Sequence, residues 1–261
     1  TCDWSSDVCS SDLDRASGLR QTRSHELQSI SLLKGRPVMV TSLSREENQA
    51  NQTASELTGP SEPQWFSQVR DAWRKSRSIR GRRYAQLATV SEQGEPEVRT
   101  VVVREFLSQD KEYGMIMTTD LRSQKVDSLA KNPKAELCWW FNKTRQQFRM
   151  RGKIVVVAEA PNHELQQWQN PEAKAIRERL WQAMPPASRE TFLYQAPGSV
   201  IENDSEMVKA ADIGQAPVSF GLLVLLVDKV DFLDLRPTPH QRYLAEQDPS
   251  NFEWSISQLV P

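Results

Sequence analysis

Four kinds of feature are scarce in this chain, and each scarcity excludes a class of protein. Cysteine is the first: Cys2, Cys9 and Cys138 are the 3 in the sequence, and only Cys138 lies beyond residue 60. One thiol builds neither a disulfide framework nor a four-cysteine metal site, so a reducing, cytoplasmic setting is expected. Histidine is as sparse. His25, His163 and His240 are too dispersed for an H-E-x-x-H zinc helix, and no local pattern supplies a hydrolytic triad, which is recognised by geometry. The 10 glycines never stand at G-x-G spacing, and none opens a G-x-x-x-x-G-K stretch. Neither the dinucleotide fingerprint nor the phosphate-binding P-loop can therefore be placed. The longest uncharged, mainly apolar run, Val218 to Val227, is about half of the ~20 residues that a membrane-spanning helix needs, and it reads as a buried strand. A surplus of one charge is missing too, with 33 Lys plus Arg against 34 Asp plus Glu. No overall field draws the chain to DNA or to a membrane surface, so neither is expected as a partner.

Aromatic residues are present but unevenly placed. Trp4 is the sole Phe, Trp or Tyr among the first 60 residues, so the material for a packed core lies in residues 61–261 of the 261. Residues 1–60, rich in Ser, Gln, Asn and Thr, offer too little apolar surface to offset the entropy of ordering them and are expected to be a disordered tail. Thr1 to Leu13, with its repeated Ser-Ser-Asp, reads as translated adapter sequence rather than protein, and it lacks the basic and apolar regions of a secretory signal. Residues 61–261 are expected to form one domain.

Within that domain, Trp65, Phe66, Val69, Ala72 and Trp73 share one face of a helix. Six of the ten residues from Arg74 to Arg83 are basic, which a solvated helix end complementing its dipole would explain. Tyr84–Val90 and Pro96–Arg104 read as strands of a hairpin around Ser91 to Glu95. A strand over Gly114–Thr119 leads into a helix near Ser123–Lys131, which Asn132-Pro133 stops. Strands over Ala135–Phe141 and Gln146–Ala158 flank a tight Asn142 to Arg145 connection. Helical patterns cover Asn162–Trp168, Pro171–Ala183 and Pro186–Tyr194, and Phe220–Leu235 returns to strand. No regular β-α-β alternation supports a parallel sheet. The expected fold is mainly β, an antiparallel barrel with appended helices.

Arg99 and Arg104 lie five residues apart on an apolar strand, and an odd offset sends them to opposite faces. A half-buried guanidinium needs an anionic partner, either a carboxylate at a sheet edge or a phosphate. Thr118, Thr119, Arg122, Ser123 and Lys125 cluster where a strand ends and a helix begins. Hydroxyls, cations and backbone N–H groups there make a phosphate cradle in kind, although capping alone accounts for Asp120 and Ser123. From Arg145 to Lys153 the residues alternate, with Gln147, Arg149 and Arg151 on one face. Gln147 can donate and accept at once, as a flavin imide edge requires, and a solvated strand face would look the same.

In order, these stretches resemble the pyridoxamine 5'-phosphate oxidase-like FMN-binding split barrels, from about Trp65 to Pro261. The likeness is carried by R-T-V-V-V-R at 99–104, T-T-D-L-R-S-Q-K at 118–125, N-P-K-A-E-L-C-W-W-F at 132–141, R-Q-Q-F-R-M-R-G-K at 145–153 and H-Q-R at 240–242. T-D-x-R-S-x-K followed by N-P-x-x-E-x-C-W-W-F is similar to the branch whose substrates are largely unassigned. The resemblance implies a split β-barrel and a homodimer with FMN at two interface sites. It assigns the FMN phosphate to Arg99 and Lys125, helped by Arg122 and Ser123. Val101, Val102, Thr118 and Thr119 would line the cofactor, and Gln147 would come from the partner subunit. Arg104, beside the cofactor, stands where the vitamin oxidases have a substrate-facing lysine. His240, toward the substrate, and Arg242, toward the cofactor, match a pair near the isoalloxazine ring. No catalytic acid or base need stand out, because the flavin carries the redox step.

The implied activity is that of an FMN-dependent oxidoreductase acting on a small molecule, for which an anion is suited. A flavin-, deazaflavin- or haem-binding sensor or carrier is the alternative. One departure separates the chain from the vitamin oxidases. Leu233 stands at the place of their tryptophan over the flavin, and Thr238-Pro239-His240 replaces their arginine-x-histidine. Arg236, constrained by Pro237, is a poor substitute, so pyridoxine phosphate is expected to be a poor substrate.

Overall fold

The structure, a computed structural model, describes residues 62–160, 165–200 and 214–261. The tail expected over residues 1–60 lies outside them. The elements are α1 (Gln64–Lys75), β1 (Tyr84–Val90), β2 (Pro96–Gln109), β3 (Glu112–Asp120), α2 (Gln124–Lys131), β4 (Lys134–Phe141) and β5 (Gln146–Val157). A helical insert follows, with α3 (Ala173–Gln182), α4 (Pro186–Glu190) and a 3₁₀ turn (Thr191–Leu193), before β6 (Phe220–Asp234), β7 (Gln241–Gln247) and β8 (Trp254–Leu259).

All strand pairs are antiparallel, in the order β3-β2-β1-β4-β5-β6-β7-β8, and β3 also pairs with β6. That last pairing closes six strands into a barrel. β6 serves two sheets: Phe220–Leu226 pairs with β3, and Lys229–Asp234 pairs with β7. Two glycines allow β6 to approach its neighbours. A Cβ on Gly114 would lie 1.8 Å from the Leu225 carbonyl oxygen, and one on Gly152 1.8 Å from that of Leu226. The β5–β6 register shifts between Arg151 and Gly152, where β6 begins to carry β7 and β8 away from the barrel. β2 and β3 are joined by Asp110 and Lys111, both at positive φ (50° and 67°), the backbone a tight hairpin demands.

Alternation fills the barrel. Phe148 and Met150 on β5, Leu137 and Trp139 on β4, and Val101 and Val103 on β2 point inward. Trp65, Phe66, Val69 and Ala72 of α1 join this core, with Phe66 edge-on to Phe106. A second core forms outside the barrel wall, where Trp181 and Phe192 of the insert meet Phe220 and Leu222 of β6.

Several boundaries differ from the expectations. No helix covers Leu165–Trp168: Gln167 makes a parallel bridge to Val156, and Trp168 donates its backbone N–H to the Val156 carbonyl. The apolar spacing there matches a helix period but serves a segment laid along β5; residues 161–164 lie outside the described residues. The chain also does not stop pairing at Leu235. β7, mostly half-buried, and β8, mostly exposed, extend the sheet with mixed polar and apolar residues. Finally, α1 ends at Lys75, so residues 77–83 are a loop and not the solvated end of a helix.

Candidate functional site

β2 carries two faces of functional side chains. Arg99 shares the inward row with Val101 and Val103, while Val102 and Arg104 face outward, so the odd offset separates the arginines as their spacing requires. A register shift between Val103 and Glu105 leaves Arg104 at a bulge. The Arg99 guanidinium, mostly buried, donates to Thr89 Oγ1 at 2.6 Å, to the Glu97 carbonyl at 3.1 Å and to Glu97 Oε2 at 3.1 Å. Glu97 in turn accepts from Gln124 Nε2 at 2.9 Å and Ser128 Oγ at 3.1 Å. One carboxylate thereby ties Arg99 to the first turns of α2.

Those turns bear Ser123 and Lys125. Lys125 is 2% exposed and donates to Ser123 Oγ at 2.8 Å, and that hydroxyl donates to the Asp120 carbonyl at 2.7 Å. Thr118 and Thr119 are buried at the end of β3, and Thr118 Oγ1 accepts from Arg104 Nε at 3.2 Å. An ammonium, a guanidinium and hydroxyls from three elements are a donor set that fits a phosphate dianion. Arg122, read into the same cradle, is engaged differently. It pairs bidentately with fully buried Asp120 at 3.0 and 2.6 Å and donates to the carbonyls of Tyr194 and Phe192. The hydrogen bonds it donates to Asp120 raise its pKa, and the side chain staples the insert to the barrel.

The outward face of β2 opens on a cavity of about 500 Å³. It is lined by residues 77–84, Val102, Arg104, Ala183, Pro185 and Ser188, so a loop, the barrel wall and the insert all contribute. Of the residues predicted to form the site, Val102 and Arg104 border it.

Gln147 and Arg242 meet elsewhere. Gln147 pairs with Leu233, and Leu233 with Arg242, so the three form a row across β5, β6 and β7 on the outer face, beside exposed Trp140. Arg242 is bidentate with Asp231 at 2.9 and 2.6 Å, and Asp231 also faces Arg149. His240, exposed, places Nδ1 3.1 Å from the Pro237 carbonyl beside the cis Thr238–Pro239 bond. Within one chain β5 lies three strands from β2 by either route round the closed barrel, on the opposite wall.

Reading the sequence missed Glu97, Thr89 and Ser188. Glu97 and Thr89 carried no signal beyond lying opposite each other in a hairpin register, and Ser188 reaches the cavity only through tertiary folding.

The profile of the pyridoxamine 5'-phosphate oxidase FMN-binding domain matches residues 62–158. An Arabidopsis thaliana protein named pyridoxine/pyridoxamine 5'-phosphate oxidase 2 is 38% identical over 156 residues, which cover 59% of this chain and 74% of that one. The crystal structure of a pyridoxamine 5'-phosphate oxidase-related, FMN-binding protein from Nostoc punctiforme superposes with a TM-score of 0.68 at 32% identity, over 77% of this chain and 100% of that chain. PhzG from Burkholderia lata, 20% identical with a TM-score of 0.59 over 77% of this chain and 94% of that one, shares the fold.

Proposed function

Because this chain belongs to the pyridoxamine 5'-phosphate oxidase FMN-binding family, we propose that it is an FMN-dependent oxidoreductase acting, as a homodimer, on a small anionic molecule. The observation that carries the reading is that Arg99, held by Thr89 and Glu97, is tied through Glu97 to Gln124 and Ser128 of α2, the helix whose start also sets buried Lys125 against Ser123. Arg99 and Lys125 would hold the FMN phosphate, and Val102, Thr118 and Thr119 would flank the ring system together with the β2 backbone at Val101, whose side chain lies in the barrel core. Bound FMN supplies hydride transfer to or from its N5 atom. The protein's share is to bind, orient and exclude water.

The homodimer is supported by where the remaining ligands lie. Gln147 and Arg242 are remote from the phosphate cluster in one chain, yet they sit on an outer face beside exposed Trp140 (42%). A second copy docked there would cover this apolar ring and bring its Gln147 toward the cofactor.

The test is flavin binding. Purified protein should take up FMN with the flavin absorbance bands, and Arg99→Ala and Lys125→Ala should each weaken FMN by about 1.5–3 kcal/mol, roughly ten- to a hundredfold. Riboflavin, which lacks the phosphate, should be affected far less. Equal losses for both ligands would mean that these residues do not read the phosphate. Reduction of the bound flavin by candidate donors separates an oxidoreductase from a flavin carrier.

A further inference from the structure

Trp140 is the exception among the described tryptophans. Trp65, Trp139, Trp168 and Trp181 are buried, and Trp73 and Trp254 are partly buried against the barrel core. Trp140 follows Trp139 on β4, so alternation turns it to the outer face, where it is exposed with no aromatic ring against it among the described residues. One exposed indole means little by itself. Its neighbours give it a role. Gln147 lies directly opposite on β5, and the row continues through Leu233 to Arg242. Opposed residues in an antiparallel pair lie about 4.5–5.5 Å apart, so a molecule that Gln147 reaches is within reach of the indole.

The charges beside this row are settled within the chain. Arg149 lies between Glu136 and Asp231, and Asp231 also takes Arg242. Two guanidinium groups and two carboxylates cancel, so a second copy can cover this face without stranding a charge. In a two-fold pair the same patch serves both subunits, and each Trp140 is carried toward the other's site. That site lacks a ring. Arg99, Val102, Thr118, Thr119 and Lys125, the cofactor residues proposed within one chain, include no aromatic side chain. The isoalloxazine system is a flat aromatic plate with polar edges. Such a plate takes hydrogen bonds at its edge and a ring on its face. Gln147 suits the edge, and Trp140 beside it suits the face.

We propose that Trp140 of each subunit packs its indole against the flavin ring held in the partner's cradle. The proposal rests on the flavin and homodimer reading above and adds to it an aromatic contact supplied in trans.

Titrations with FMN and with riboflavin, followed by flavin emission, test it. An indole in contact with a flavin quenches its emission by electron transfer, so flavin bound to the wild type should be dark and flavin bound to Trp140→Leu several-fold brighter. The variant should remain dimeric in sedimentation and bind FMN and riboflavin more weakly by the same roughly two- to tenfold, because both ligands carry the ring. Arg99→Ala, by contrast, should discriminate between them. Trp140→Phe, which keeps a ring, should retain most of the affinity. A heterodimer purified through two tags, with Trp140→Leu in one chain and Arg99→Ala/Lys125→Ala in the other, reads the direction of the contact. Its intact cradle faces the intact Trp140 of the other chain, so bound FMN should be dark. Bright flavin in that heterodimer, equal emission from wild type and Trp140→Leu, or a Trp140→Leu protein that falls to monomers would overturn the proposal while leaving flavin binding in place. A wild-type protein that takes up no flavin would overturn the flavin reading, and the proposal with it.

Discussion

Arg242 and Asp231 meet across β7 and β6 in a bidentate pair that illustrates how residue chemistry reports on this fold. The hydrogen bond from Arg242 holds the Asp231 carboxyl below its ordinary value, against the opposing effect of burial, and the charges of Arg242, Arg149 and Lys229 add to it. A carboxyl whose pKa is depressed on folding contributes stability above its unfolded value, about 3.9, and loses that contribution as pH falls through the folded value. Thermal melts across the acid range should therefore show wild-type stability declining below about pH 4. Arg242→Gln should flatten that decline, because Asp231 then titrates nearer its unfolded value; parallel wild-type and variant curves would show that the pair contributes nothing.

At the scale of elements, the insert is held to the barrel by a buried arginine. Arg177 of α3, 2% exposed, donates to the Phe220 carbonyl at 3.0 Å and the Pro217 carbonyl at 2.7 Å and pairs with Glu159. Burial lowers its pKa, and the Glu159 charge opposes that. Arg177→Leu keeps much of the packing volume but removes the guanidinium donor from the Phe220 and Pro217 carbonyls and the partner of Glu159. The expected loss is about 1–3 kcal/mol, read from urea unfolding. Hydrogen exchange should show residues 173–193 losing protection before the barrel strands, since the insert's second core depends on this joint. Uniform loss of protection would place the insert and the barrel in one cooperative unit.

For the whole molecule, the question is which substrate the assembled site takes. Relatives bear the name pyridoxine/pyridoxamine 5'-phosphate oxidase, while the family resemblance of the sequence puts Leu233 and Thr238-Pro239-His240 where a tryptophan and an arginine-x-histidine are expected of a vitamin oxidase. The nearest arginine does not stand in. Arg236 is committed to Asp234, with Nε 2.9 Å from Oδ1, and that carboxylate also accepts from Gln146. Pyridoxine 5'-phosphate should therefore be turned over far below the roughly 1 per second typical of enzymes. Oxygen consumption at or above that rate would restore the vitamin-oxidase assignment.

The sequence by itself determined the class of fold and most strands of the barrel, because two-residue alternation and hairpin residues act locally and appear wherever a strand is half-buried. It also assembled Thr118, Thr119, Ser123 and Lys125, which are neighbours in the chain before they are neighbours in space. Tertiary structure decided what each cation faces. Arg122 and Arg99 look alike as letters, but one meets Asp120 and the carbonyls of the insert while the other meets Thr89 and Glu97. Only the folded chain brings the 77–83 loop, β2 and Ser188 around one cavity. The destination of the basic stretch was illegible for that reason: a charge shows its partner only once distant segments have been packed against it.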